Sequence, residues 1–192
     1  MDTLKGQFLV AAPDMGDERF AESVVYLVAH SEDGAMGLVI NQPMDDMHIS
    51  DILAELDLGD DEDAIRIPEQ LLQQDVLKGG PVDSSRGFVL HTSDYFRDGN
   101  SYPVDGDICL TATLDVLRAM MVGKGPRQSL LALGYCGWSA GQLEEELRQN
   151  GWLTANRSDE LLFGVPASKK YDAALAAIGV TRANLSSTSG TA

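Results

Sequence analysis

The sequence predicts an α+β protein, one domain built around a mixed β-sheet rather than an alternating parallel α/β fold. Three observations carry this. Short apolar or β-branched runs separated by Gly, Pro and Asp dominate the opening and the middle of the chain. Amphipathic helical spacing is confined to a few short segments. No internal repeat or linker divides the 192 residues, a length at which one domain buries roughly 70% of its unfolded surface.

Three strands open the fold, over Gln7–Ala11, Val24–Ala29 and Gly37–Asn41. Asp33-Gly34 marks a hairpin between the second and third, with Gly34 or Gly37 supplying a positive φ. Asn41-Gln42-Pro43 ends the third strand with two amide side chains, which either close a turn or hydrogen-bond a ligand. Ile49, Ile52, Leu53 and Leu56 recur at helical spacing, giving a short helix that dissolves into the acidic run Asp57–Asp63. That run reads as a loop, because Asp57, Gly59, Asp60, Asp61, Glu62 and Asp63 do not follow the ligand order of an EF-hand.

Val76-Leu77 forms the next strand and enters Gly79-Gly80-Pro81; Gly87–His91 and Ile108–Thr111 follow, the last after an Asp105-Gly106 turn. A helix over Leu114–Val122 has Thr113 as N-cap and Gly123 at its end, and turns Leu114, Leu117, Met120 and Met121 to the core. Leu130–Leu133 is a buried strand that runs into a glycine-dense turn from Gly134 to Gly141 and then an acidic amphipathic helix. Ser139 and Gln142 form a capping-box pattern, Leu143 and Leu147 face inward, Glu144 pairs with Arg148, and Asn150-Gly151 ends the helix. A final helix covers Lys169–Ile178 and stops at Gly179, so that one domain spans residues 1–180 and the polar residues 181–192 form a loosely ordered tail.

Charge narrows the function. The net charge is -16, and it is lopsided: residues 1–78 hold 18 acids against 4 bases, residues 79–192 hold 12 against 10. With no basic run and no helix-turn-helix or zinc-finger spacing, direct nucleic-acid binding is not expected. An acidic first half suits either a solvated, self-repelling surface or a basic protein partner. No stretch approaches the eighteen continuous apolar residues of a membrane span, and Phe8–Ala12 lacks the basic flank and length of a signal peptide, so no membrane association is expected. Two cysteines without redox or zinc spacing, Cys109 and Cys136, fit free thiols in a reducing cytoplasm.

The strand–turn–helix joint at Gly134, Cys136, Gly137, Trp138 and Gln142 is where a backbone approaches a ligand closely. Cys136 there resembles a nucleophile at an elbow, but Trp138 stands where an elbow needs Gly, and Glu144, Glu145 and Glu146 make the turn electronegative. Its base would have to be His30, His48 or His91, of which His30 and His91 end apolar strands. The helix start after Gly141 offers amides to an anion, yet Ser139 competes for them and the glutamates repel phosphate. Gly79-Gly80-Pro81 lacks the Lys and Ser or Thr of a P-loop and reads as a tight turn with close backbone packing. Trp138 is either a pocket wall or a core plug. No cofactor or metal is expected, since no ligand spacing occurs.

These segments resemble the AlgH/YqgE family of bacterial proteins. The likeness rests on Gly6–Pro13, Phe20 with Ser23-Val24-Val25, Gly37-Leu38-Val39-Ile40-Asn41-Gln42-Pro43, Gly79-Gly80-Pro81-Val82, Val89-Leu90-His91, and Gly134-Tyr135 through Trp138 to Gln142–Glu146. The resemblance implies a complex α+β fold with a large mixed β-sheet flanked by several helices, a cytosolic location and no established activity. Similar proteins commonly hold Ala or Ser where Cys136 stands, which argues against a shared thiol chemistry, and a Trp where Tyr171 stands, a packing substitution. The family is sometimes labelled a transcriptional regulator; the charge pattern would route such a role through a protein or small molecule.

The sequence therefore predicts a non-enzymatic binding protein for a small molecule or a protein segment. Its pocket would lie among Asn41, Gly79, Gly80, Pro81, His91, Gly134, Cys136, Gly137, Trp138 and Gln142. A hydrolase using Cys136 and an acidic protein-interaction module are the alternatives.

Overall fold

The computed structural model describes residues 3–55 and 67–181; the acidic run Asp57–Asp63 and the tail residues 182–192 lie outside them. The first strands are β1 (Phe8–Ala11), β2 (Val24–Ser31), β3 (Gly34–Val39) and β4 (Pro43–His48), followed by helices α1 (Ile49–Glu55) and α2 (Glu69–Leu72). The middle contributes β5 (Asp75–Lys78), β6 (Val82–Thr92), β7 (Ser101–Asp105), β8 (Ile108–Thr111) and α3 (Leu114–Met121). The last part holds β9 (Ser129–Ser139), α4 (Gln142–Arg148), β10 (Trp152–Ala155), a π-helical turn (Glu160–Gly164) and α5 (Ala167–Ala177).

All ten strands share one sheet in the order β10-β1-β2-β3-β9-β6-β8-β7, with β5 beside β9 and β4 beside β5. The β5–β9 pair is parallel and the other pairs are antiparallel, so the sheet is mixed within a single α+β domain. Strand β9 is its spine. One edge of β9 pairs with β6; the other pairs first with β5, Leu131 to Leu133 opposite Val76 to Lys78, and then with β3, Cys136 to Ser139 opposite Gly37 to Gly34.

The change of partner happens at Gly134. Its φ of +73° is left-handed, and a Cβ there would come within 2.5 Å of the Gly80 carbonyl oxygen. Gly79 and Gly80 face it, and a Cβ on Gly80 would overlap the Tyr135 backbone. Close backbone packing at this glycine pair, the reading the sequence favoured over a phosphate loop, is what the fold uses. The Gly79 N–H donates to Leu133 O and the Val39 N–H donates to Gly79 O, both at 2.8 Å, which locks β3, β5 and β9 together.

Several expectations need correction. The segment from Gly134 to Ser139 is strand and not turn, because β6 pairs with it at Tyr135 and β3 pairs with it from Cys136 to Ser139. The turn is confined to Ala140-Gly141, with Gly141 left-handed at φ +75°. In α3, Val116 takes the inward position and Leu114 is exposed, and the buried Thr113 hydroxyl caps nothing. Arg148 pairs with Glu145, at 2.5 Å, because Glu144 reaches across to His30 Nε2 at 2.8 Å. Strands β4, β7 and β10 are not among the strands the sequence predicts; each has one strand partner, so all are edges, where Pro43 and Pro103 are tolerated.

Two apolar clusters hold the sheet. One joins β1, β2 and β3 to α4 and α5 through residues such as Phe8, Tyr26, Leu38, Leu143, Tyr171 and Leu175. The other packs α1 and α3 on β5, β6 and β9 through Ile49, Val76, Val89, Leu117, Met121 and Leu131. Among the described residues, no helix is long and apolar enough to cross a membrane.

Candidate functional site: an aromatic cleft beside strand β9

The period-2 alternation at the end of β9 buries Cys136 and Trp138 while exposing Gly137 and Ser139. Trp138 therefore points to the face on which α4 packs. The turn Ala140-Gly141 folds α4 back, and β10 places Trp152 alongside. Between these elements and the loop Asp14–Phe20 lies a cleft of about 430 Å³. Five of the predicted residues line it: Pro81, Cys136, Gly137, Trp138 and Gln142. Gly80 lines a small neighbouring pocket of about 50 Å³ with Gln42, and the two share Arg19, Phe20 and Pro81.

Glu146, one turn beyond Gln142, organises the wall. Its Oε2 accepts the indole N–H of Trp138 at 2.8 Å and that of Trp152 at 2.7 Å; its Oε1 accepts from Gln142 Nε2 at 2.9 Å. The rings meet edge to face, Trp138 with Trp152 at 6.1 Å and Trp152 with Phe20 at 5.6 Å between centroids. Gln142 Oε1 accepts the Ser139 N–H at 3.1 Å, but the N-cap of α4 is Gly141 and has no side-chain cap bond, so the expected capping box does not form. Across the cleft, Arg19 bonds Asp17 through Nε and through Nη2 at 2.6 Å, and this hydrogen bonding holds the Asp17 carboxyl below the ordinary carboxylate range.

Four predicted residues lie elsewhere. Asn41 closes the β2–β3 end: its Oδ1 accepts the Val24 N–H at 2.9 Å and its Nδ2 donates to Glu22 O at 2.8 Å. Gly79 and Gly134 are buried in the strand crossing described above. His91 is fully buried and stands opposite Ser129, seven residues along β9 from Cys136, a separation of roughly 20 Å at about 3.3 Å per residue.

Cys136 forms part of the cleft floor. It is 2% exposed, its Sγ donates to Gly79 O at 3.5 Å, and burial pushes its pKa up to about 12. No imidazole reaches it. His30 accepts the Leu4 N–H at Nδ1 and bonds Glu144 at Nε2, so both ring nitrogens are engaged. His48 lies on the exposed strand β4. No group of three or more His, Cys, Asp or Glu among the described residues is arranged to hold a metal ion.

Sequence reasoning missed Asp14, Arg19, Phe20, Glu146 and Trp152 as cleft residues. Glu146 had a local signal, four residues after Gln142 on one helix face. The Asp14–Phe20 loop had none, since only pairing of β1 with β10 brings it beside Trp152.

Comparison with known proteins places the chain. The family model described as AlgH-like matches residues 8–183. A UPF0301 protein of Mesorhizobium japonicum is 54% identical over 187 residues, 97% of this chain and 92% of the relative; one of Methylobacterium nodulans is 52% identical, covering 97% and 89%. The solution structure of the AlgH protein from Pseudomonas aeruginosa superposes with a TM-score of 0.76 at 42% identity, over 99% of this chain and 96% of that one. A crystal structure from Corynebacterium diphtheriae, at 22% identity and a TM-score of 0.65 over 87% and 82% of the two chains, shares the fold. The matched family model and these relatives, each spanning nearly the whole chain, establish that this protein belongs to the AlgH-like family.

Proposed function

We propose that this protein is a non-catalytic, cytoplasmic binding protein that holds a small molecule or a short protein segment in the cleft between Trp138, Trp152 and the Asp14–Phe20 loop. One observation carries the reading: a concavity of about 430 Å³ is walled by three aromatic rings and furnished with a few fixed polar groups. Ligand sites have this make-up and this size. The walls are held in place by Glu146 and Gln142 before any ligand arrives, which lowers the ordering cost of binding.

The geometry gives little support to the alternative of a hydrolase using Cys136. A thiol whose pKa is about 12, hydrogen-bonded to a carbonyl and away from every imidazole, is not an activated nucleophile. The reading needs no cofactor and no nucleic acid. The test is an amide and indole chemical-shift map during titration with a metabolite library. Perturbation should centre on Asp14–Phe20, Trp138, Gln142 and Trp152. Shifts confined to surfaces away from the cleft would refute the proposal.

A further inference from the structure

From the apolar groove between α1 and α3, we infer that a second surface of this protein docks an amphipathic segment of a partner protein, apolar along one side and carrying Lys or Arg at its margin. This goes beyond the cleft reading above and stands or falls without it.

The groove measures about 560 Å³ and is built on the second apolar cluster, whereas Trp138 and Trp152 belong to the first. Leu117 of α3 and Leu131 of β9 are buried beneath it, and Met44 and Met47 of β4 and Ile52 of α1 are half-buried along it. Leu114 also lines it and is 51% exposed, so the first residue of α3 is a large apolar side chain with no core to enter. Apolar surface left to water in this way is favourably covered by a partner's apolar side chains. A trough between two helices takes the apolar face of an amphipathic segment, and unbranched methionines re-pack to fit it.

Charge names the occupant. Asp51 and Glu55 of α1 line the groove, and no Lys, Arg or His does so among the described residues. Asp45 and Asp46 stand exposed between the two methionines on β4. Arg86, next to the lining residues Ser85 and Gly87, turns to the other side of the sheet, where its guanidinium lies 5.3 Å from the centre of the Phe88 ring. Asp51 Oδ2 accepts the His48 N–H at 2.8 Å, and neither Asp51 nor Glu55 enters an ion pair among the described residues. A basic margin on the partner meets these carboxylates and an acidic one is repelled, which sets the sign of the partner and its rate of approach.

The full chain, isotope-labelled at its Met, Leu and Ile methyl groups, is titrated with a helical peptide of leucine and lysine that carries its leucines on one face. Two control peptides replace lysine by glutamate or leucine by alanine. Saturable shifts at the Met44, Met47, Ile52 and Leu114 methyls with the first peptide, and much weaker ones with either control, are expected. Both tryptophans line the other cleft, so their indole N–H resonances should stay in place. Leu114→Asp puts a carboxylate in the first turn of α3, where a helix tolerates it, and should weaken the leucine–lysine peptide about tenfold although it adds negative charge. That direction separates docking in the groove from general attraction to a chain of net charge -16. Asp51→Asn with Glu55→Gln should weaken binding about threefold and flatten its salt dependence. Equal binding of either control peptide, undiminished affinity in Leu114→Asp, or a titration that leaves the groove methyls unmoved overturns the inference. Groove-methyl shifts that grow with protein concentration in the absence of peptide also overturn it, and assign the groove to contact between two copies of this chain.

Discussion

Trp138 and Trp152 donate their indole N–H groups to the same oxygen of Glu146, with the two rings 6.1 Å apart and edge to face. One carboxylate on α4 thus fixes side chains from β9 and β10, strands at different places in the sheet. This bridge shapes the cleft and ties the helix to both strands.

Removing that carboxylate should cost stability. Glu146→Ala leaves two indole N–H groups, on side chains 7% and 3% exposed, without their acceptor. Each unsatisfied buried donor costs about 1–3 kcal/mol, so a loss of about 2–4 kcal/mol is expected, with Glu146→Gln losing less. Chemical denaturation followed by tryptophan fluorescence measures both.

Lys170 gives a prediction in alkali. Its Nζ donates to Leu161 O at 2.6 Å and Leu162 O at 2.7 Å, it forms no ion pair among the described residues, and burial pushes its pKa down to about 8. The unfolded lysine keeps its proton to higher pH than the folded one. Unfolding therefore takes up a proton between pH 8 and about 10.5, and this site makes the protein more stable as pH rises across that window. The gain is on the order of 3 kcal/mol at most. Lys170→Met should remove it, which is read as the difference between the two proteins' denaturation midpoints against pH.

His91 gives a slope of the same sign, in acid. Its Nδ1 must donate to Thr92 O at 2.9 Å, since a carbonyl only accepts; its Nε2 then accepts from Thr111 Oγ1 at 2.7 Å, and Thr111 accepts from Ser101 at 2.8 Å. The chain of bonds accommodates a neutral ring, and burial lowers the His91 pKa from 6.5. As pH falls through 6.5 the unfolded chain gains a proton that the folded one resists, so stability is lost below that point. His91→Gln should flatten the slope between pH 7 and about 5 in urea titrations.

The glycine crossing is the least forgiving place in the sheet. Gly80→Ala would drive a methyl into the Tyr135 backbone, where neither strand can move without breaking the β9 pairings. A loss of about 3 kcal/mol or more, or failure to fold, is expected, whereas Gly99→Ala, with open space around it, should cost about 1 kcal/mol for its left-handed φ of +81°. Thermal unfolding compares them.

Cys136 should stay unlabelled by iodoacetamide at pH 8 in the native protein and react on unfolding. Burial at 2% exposure and a pKa of about 12 leave almost no accessible thiolate. Rapid native labelling would contradict this expectation and favour a catalytic thiol.

Local pattern by itself determined much of the molecule. Apolar runs at β1, β2, β3 and β8 and the amphipathic spacing of α4 and α5 are driven by nearby residues, and so is the Gly179 stop. The alternation Cys136, Gly137, Trp138, Ser139 was equally visible, yet three glycines in eight residues outweighed it in the reading and suggested a turn. Only the tertiary structure decided that stretch, because β3 pairs along Cys136 to Ser139 and holds extended a backbone that would otherwise bend. Tertiary structure also separated His91 from Cys136, since their placing depends on register along β9 and not on distance in the chain. It likewise set the Asp14–Phe20 loop against Trp152 through the pairing of β1 with β10, two strands 140 residues apart whose meeting no local periodicity encodes.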